Sequence, residues 1–254
     1  MMKLLMLLFS WLLIVGSVPV LANDELADVI ATLETPFRST TSRDSQVRDF
    51  AADFQQLSTV VAIDRVQRGQ GKVWFKFPPD ARAGTAMPMF RWNYQLPNEQ
   101  QILSDGTTLW VYVPENRQVI VSEVDQVESE YGDNPAAFFT GLGNLAQSFD
   151  IAWGKDRQDE ADNYWLLLIP KRPSQFFKQI EVVVNQQAVR EYRQGAKTRV
   201  FPLVATEVTD PQDNLTRITF SNVRWNLDPA DSEFTFEVPD GVEQLSPATQ
   251  IPGF

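Results

Sequence analysis

Hydrophobic and polar residues alternate in short runs along most of this chain, most clearly between residues 69 and 124. In residues 90–94, Phe90, Trp92 and Tyr94 fall on every second position with Arg91 and Asn93 between them, the period of a half-buried strand. Residues 108–113 put Trp110 and Tyr112 on one side and Leu109, Val111 and Val113 on the other, which predicts a strand covered on both faces. Ser104-Asp105-Gly106 and Pro114-Glu115-Asn116 are turn-formers that join neighbouring runs as hairpins. The stretch therefore predicts an antiparallel meander carrying Trp74, Trp92 and Trp110 on the aromatic, concave side of a curved sheet.

Further strands are expected at 50–56, 149–153, 164–169, 179–184, 204–208, 215–225 and 234–238, bringing the total to about eleven, with the turn spacing of a barrel or sandwich. Two helices interrupt them. Asn23 or Asp24 caps the first, whose stripe is Leu26, Val29, Ile30 and Leu33 and whose end is set by Pro36. Asp133-Asn134-Pro135 opens the second, marked by Phe138, Phe139, Leu142 and Leu145. Gly141 and Gly143 weaken it by about 1 kcal/mol each relative to alanine, which suits a movable lid. Residues 38–48 predict a solvated loop, and the charged run 155–162 an exposed hairpin loop. No strand–helix–strand alternation appears, so the chain is mainly β.

The first 22 residues change the picture of where this sheet works. Met1-Met2-Lys3 is a short basic start, residues 4–15 are apolar, and Val20-Leu21-Ala22 offers small residues for cleavage. The apolar run is short of the roughly 20 residues that span a bilayer and is broken by Gly16 and Pro19, so residues 1–22 are expected to be a secretory signal peptide. Residues 23–254 then form one domain. The sequence contains no Cys, so neither disulfides nor a lipid on a cleavage-site cysteine are available, and a soluble monomer of the bacterial periplasm is expected. A formal net charge of −11 argues against nucleic acid and against anionic lipid surfaces.

The side-chain inventory limits the chemistry. With no His and no Cys, the chain lacks imidazole bases, thiolate nucleophiles and the usual zinc ligands, and no cofactor is called for. A glycosidase-type pair of carboxylates survives on inventory alone, since Asp80, Asp105, Asp133, Asp210, Asp213 and Asp240 all sit in turns, where Asp has a conformational role. Gly141-x-Gly143 lacks the third glycine and the strand-to-helix setting of a dinucleotide loop.

The order of motifs resembles one family. After the leader and the amphipathic helix come Asp53-Phe54-Gln55-Gln56, then 69–78 (GQGKVWFKFP), 90–97 (FRWNYQLP), 102–112 (ILSDGTTLWVY) and, near the end, 234–242 (FTFEVPDGV). This is similar to the periplasmic outer-membrane lipoprotein carrier proteins of the LolA family. The resemblance implies an incomplete antiparallel β-barrel closed by a helical lid around an apolar cavity for the acyl chains of lipoproteins. It also implies loading by an inner-membrane lipoprotein-releasing ABC transporter and delivery to an outer-membrane lipoprotein receptor. Where the family motif G-x-W-x-K-R-P has arginine, this chain has Phe77, and Lys76, Arg82 and Arg91 are the nearest basic residues that handover could use instead. Residues 38–47 and 190–203 are extra relative to compact family members.

The residues expected at the cavity are Leu26, Val29, Ile30 and Leu33 from the first helix and Phe138, Phe139 and Leu142 from the lid. Trp74, Phe77, Phe90, Trp92, Tyr94, Trp110 and Tyr112 complete the set from the strands. Alternate aromatics also fill ordinary barrel cores, so the set is a stronger statement than any member. Two functions fit: a lipoprotein chaperone, or a periplasmic binding or scaffold domain that uses the same barrel for another apolar ligand.

Overall fold

Side-chain alternation gives the sheet a broad apolar face, and the curl of the sheet turns that face inward. The computed structural model describes residues 21–78, 87–124, 138, 139, 141–174, 176–197 and 199–246. Twelve strands form a single sheet. They are β1 (Asp49–Val60), β2 (Arg65–Lys76), β3 (Met89–Leu96), β4 (Gln100–Ser104), β5 (Thr108–Val113) and β6 (Gln118–Glu123), followed by β7 (Phe149–Gln158), β8 (Tyr164–Pro170), β9 (Gln179–Val184), β10 (Leu203–Thr209), β11 (Leu215–Trp225) and β12 (Glu243–Leu245).

Their order across the sheet is β12-β6-β5-β4-β3-β2-β1-β11-β10-β9-β8-β7, so the end strands β12 and β7 do not pair and the barrel is incomplete. Every neighbouring pair is antiparallel except β12 on β6, which is parallel. One apolar cluster takes in Leu109 and Val111 of β5 and Ile120 of β6, and equally Leu166 and Leu168 of β8 and Val182 of β9. Strands from opposite parts of the sheet share that core because the sheet bends around it. Gly71 permits a close approach within the bend, since a Cβ there would lie 1.9 Å from the Asn93 carbonyl oxygen of β3.

Helix α1 (Leu21–Glu34) starts before the expected cap and ends where Pro36 enters a 3-10 turn, Thr35–Phe37. Its stripe docks inward, with Val29 and Leu33 fully buried and Leu26 and Ile30 packed against the core. The residues expected to open the second helix, 133–135, lie outside the described residues, as do residues 1–20 of the leader. Past them the chain forms a 3-10 turn, Leu142–Asn144, and a short helix α2 (Leu145–Ser148), broken at the glycines. Helix α3 (Gln186–Arg193) was not anticipated. Asn185 caps it by accepting from the Gln187 and Ala188 amides at 2.8 and 3.2 Å, and it packs on α1.

The expected strand at 234–238 does not form. Its alternation is real, with Phe234 buried, Phe236 and Val238 half-buried, and Thr235 and Glu237 exposed. Instead of extending a ladder, this segment lies across the outer face of the sheet, where Phe236 packs on Tyr112 with ring centroids 5.0 Å apart. Lys76 fastens it by donating to the Pro229 carbonyl and the Asp231 carboxylate, both at 2.7 Å. That hydrogen bond to Asp231 raises the Lys76 pKa above its ordinary value.

At the β4–β5 hairpin, Gly106 supplies a φ of +93° and the Asp105 carboxylate accepts from the Thr107 and Thr108 amides at 2.8 and 2.7 Å. Burial opposes ionisation of Asp105, but the amide hydrogen bonds outweigh it and hold the carboxyl below its usual value of 3.8. A depressed folded-state pKa gives stability that is complete above the unfolded value and is lost as pH falls through the folded one. Asp105→Ala should therefore cost about 1–2 kcal/mol at neutral pH in urea unfolding. The deficit should shrink in acid, and a deficit independent of pH would show that the ionised form contributes nothing.

Candidate functional site

Phenylalanines four residues apart on a strand share a face, so Phe50 and Phe54 of β1 both point inward. Register places Phe75 of β2 and Phe90 of β3 in one row with Phe50, and Phe220 of β11 opposite Phe54. Trp92 and Tyr94 continue the surface, their ring centroids 4.8 and 4.9 Å from that of Phe54. Tyr94 donates its hydroxyl to Gln56 Oε1 at 2.7 Å, and burial pushes its phenol pKa well up, so it remains a neutral donor. Phe77 extends the row toward the 3-10 turn, with its ring 5.3 Å from that of Phe37 and 6.2 Å from those of Phe50 and Phe75.

Phe139 fills the middle of this surface. Its ring lies 4.3 Å from Phe75, 5.7 Å from Phe50 and 5.9 Å from Phe220, and it is only 2% exposed. Phe138 and Leu142 are buried beside it, so the expected lid residues do meet the expected α1 and strand residues in one core. The face is occupied by the protein's own rings. Two recesses, of about 250 and 370 Å³, open instead on the outer face, the first lined by Trp74, Arg91 and Phe234 and the second by Asp53, Lys72, Trp74 and Arg224.

Three expected cavity residues point the wrong way. Trp74, Arg91, Leu103, Trp110 and Val121 are successive partners across β2 to β6, a row on the outer face, and Tyr112 lies on that face against Phe236. The hydrophobic pattern of β2 and β5 fits either orientation because both faces of those strands are covered. Lys72 and Lys76, on the same side of β2 as Trp74, carried the signal for the outward choice. The residues missed were Phe50, Phe54, Phe75 and Phe220. Of the basic residues considered for handover, Lys76 and Arg91 also face outward, Arg91 donating to the Glu233 carbonyl at 3.3 Å, and Arg82 lies outside the described residues.

Polar contacts at the end of α1 hold the covering segment down. Glu34 is 2% exposed, and its Oε1 accepts the Ala146 amide of α2 at 3.0 Å while its Oε2 pairs with Arg38. Arg38 Nε in turn donates to the Gly143 carbonyl at 3.2 Å. A buried carboxylate needs such partners, so α1 and the 141–148 segment are coupled through it. Gly143 is required by contact: a Cβ there would stand 2.8 Å from the Phe37 carbonyl oxygen. Near the other end of α1, Glu25 pairs with Arg157 and with Arg193 at 3.4 Å, and Asp28 with Arg193 at 2.9 Å. These more exposed pairs each contribute at most about 1 kcal/mol.

A curled antiparallel sheet with an aromatic inner face, covered by short helices, has the architecture of a binder of apolar ligands. The chain belongs to the family described as outer membrane lipoprotein carrier protein LolA, whose model matches residues 45–237. It is a carrier family and not a family of enzymes. The outer-membrane lipoprotein carrier protein of Chromobacterium violaceum is 30% identical over 199 residues, covering 78% of this chain and 82% of the relative. That of Bordetella pertussis is 34% identical over 154 residues, covering 61% of this chain and 63% of the relative, so the match spans less than two thirds of that protein. A crystal structure of a LolA superfamily protein from Nitrosomonas europaea overlaps 85% of this chain and 97% of its own at 13% identity, with a TM-score of 0.37, a likeness too loose to bear on function.

Removing either contact of the covering segment should loosen it without opening the sheet. Glu34→Ala leaves the Ala146 amide unpaired, and Gly143→Ala drives a methyl group against the Phe37 carbonyl. Each should cost about 1–3 kcal/mol and speed amide exchange at Ala146 while β1 and β2 stay protected. Unchanged exchange at Ala146 in both variants would mean that the segment is held by its apolar contacts alone.

Proposed function

We propose that this protein is a periplasmic carrier that shelters the acyl chains of lipoproteins on the inner aromatic face between the inner and outer membranes. The supporting observation is the position of Phe139, a ring from the covering segment that occupies the middle of the face and that an incoming chain would replace. Burying a CH₂ group is worth about 0.8 kcal/mol, so an acyl chain of roughly 16 carbons left in water costs on the order of 12 kcal/mol. A lipoprotein crossing an aqueous compartment needs that surface covered. Exchange of one apolar occupant for another keeps the inner face dry throughout and requires no chemistry.

In this reading residues 1–22 direct export, residues 23–254 form one working domain, and the inner-membrane ABC transporter and the outer-membrane receptor are the partners at either end. The absence of any Cys favours a carrier over an anchored receptor, since no residue can take a lipid at the cleavage site. Among the described residues no helix is long and apolar enough to cross a membrane.

Protein purified from periplasm should carry diacylated or triacylated lipoproteins, and added lipoprotein should displace an apolar fluorescent probe from it. Copurification of free lipid alone would point instead to a binding domain for another apolar ligand. Phe139→Leu should cost about 1–2 kcal/mol of stability and tighten probe binding, because a smaller native side chain competes less well for the same space. Unchanged probe affinity in a folded Phe139→Leu variant would place the ligand elsewhere.

Phe77 adds apolar surface where the family has a cation. Phe77→Arg should leave the protein folded but melting somewhat lower, because its ring contacts with Phe37, Phe50 and Phe75 are lost, and should weaken probe and cargo binding and speed release to the receptor. Tighter binding by that variant would overturn the role given to Phe77.

A further inference from the structure

Trp92 of β3 is 2% exposed, and its indole Nε1–H has no hydrogen-bond partner, the single such buried side-chain nitrogen or oxygen among the described residues. Leaving a buried N–H unpaired costs about 1–3 kcal/mol, and a buried Trp normally finds an acceptor. Around it are the rings of Phe54, Phe75 and Phe220, at centroid distances of 4.8, 6.0 and 6.4 Å, which offer no conventional acceptor. The ring of Tyr94, at 6.5 Å, carries a hydroxyl that is already turned to Gln56. Packing alone does not account for the nitrogen, since a phenylalanine would fill an aromatic site without importing a donor that nothing receives.

We propose that the Trp92 indole N–H is the polar anchor of the inner face, donating to the carbonyl oxygen of an ester or amide at the head of a bound acyl chain. The inference rests on the inner face being the acyl-chain site. An indole nitrogen donates only, so its partner must bring an acceptor, which a bare hydrocarbon lacks. A neutral carbonyl can enter an apolar site at a modest cost, whereas a fatty-acid carboxylate would need a cation. Neither Lys nor Arg is among the buried side chains of the described residues. The site therefore favours chains already joined through an ester or amide over free fatty acids and over ether-linked chains. The hydrogen bond is gained only when a ligand of the right class enters the inner face and brings its carbonyl oxygen to the indole.

The test compares a synthetic dipalmitoyl-ester lipopeptide, its dialkyl-ether analogue and palmitate as displacers of an apolar probe. The full chain is compared with a variant whose Trp92 indole is replaced by benzothiophene, which keeps the shape and puts sulfur in place of N–H. The native protein should bind the ester about 2- to 10-fold more tightly than the ether, and palmitate more weakly than the ester. The benzothiophene variant should lose the ester preference, keep its affinity for the ether, and melt at the same or a higher temperature. Trp92→Phe should lose the same preference, its smaller ring affecting both lipids alike. An ester-to-ether ratio equal in native and variant proteins would overturn the anchor and leave the carrier reading intact. So would a benzothiophene variant that melts lower than the native protein, since the N–H would then be paired in the empty state. Failure of the native protein to bind any of the three would overturn both.

Discussion

The ring of Phe139 packed 4.3 Å from that of Phe75 is the contact on which the rest of this molecule turns. A curled sheet with one apolar face cannot leave that face to water, and here the face is unusually broad because rings from β1, β2, β3 and β11 follow one another across the register. Something apolar must cover it. The covering comes from α1 and from the segment around residues 138–148, and Phe139 is where that segment reaches deepest. The occupant is therefore part of the chain, and among the described residues the segment that follows it, 141–148, forms short helical turns and no strand ladder. Apolar contacts are non-directional, so such an occupant can be exchanged for another of similar shape, whereas a ladder of backbone hydrogen bonds could not.

Directionality enters at the edges. Glu34 is buried and must be satisfied, and its two oxygens join the end of α1 to Ala146 and Arg38. The contacts near the start of α1, from Glu25 and Asp28 to Arg157 and Arg193, are more exposed and screened by salt. One end of the cover is thus held by a pair whose separation leaves a buried charge unpaired, and the other by pairs that separate at small cost. Separating the contacts at the start of α1 therefore costs less than separating those near residue 34.

The outer face of the sheet has a separate role. Trp74 and Tyr112 would be left exposed if the segment from Asp231 to Leu245 did not lie on them, with Phe234 buried beside Trp74, Phe236 packed on Tyr112 and β12 closing on β6. Lys76 and Arg91 tie that segment down. The meander is covered on both sides, once by the C-terminal segment and once by α1 with the segment around residues 141–148. On the proposed carrier reading, the inner face is the surface on which binding and release would act without unfolding the sheet.

Much of this was legible in the chain before any coordinates. Alternation in residues 90–94 gave β3 its correct inner residues, because Arg91 and Asn93 leave only one face apolar. The stripe of α1 and its stop at Pro36 followed from spacing alone, and so did the two-sided covering of β5. What alternation could not decide was parity in strands with no polar side. In β2 and β5 it favoured Trp74, Trp110 and Tyr112 over Phe75, because the period of a strand says which residues share a face but not which way that face points. Nor could it tell a true strand at 234–238 from an extended segment lying on a sheet, since both bury every second residue, and only pairing separates them. Local sequence thus determined which residues act together, through the fixed geometry of strand and helix. The direction each set faces, the seat of Phe139 among the rings and the burial of Glu34 were decided by tertiary structure, because they depend on residues distant in the chain that come together only when the sheet curls.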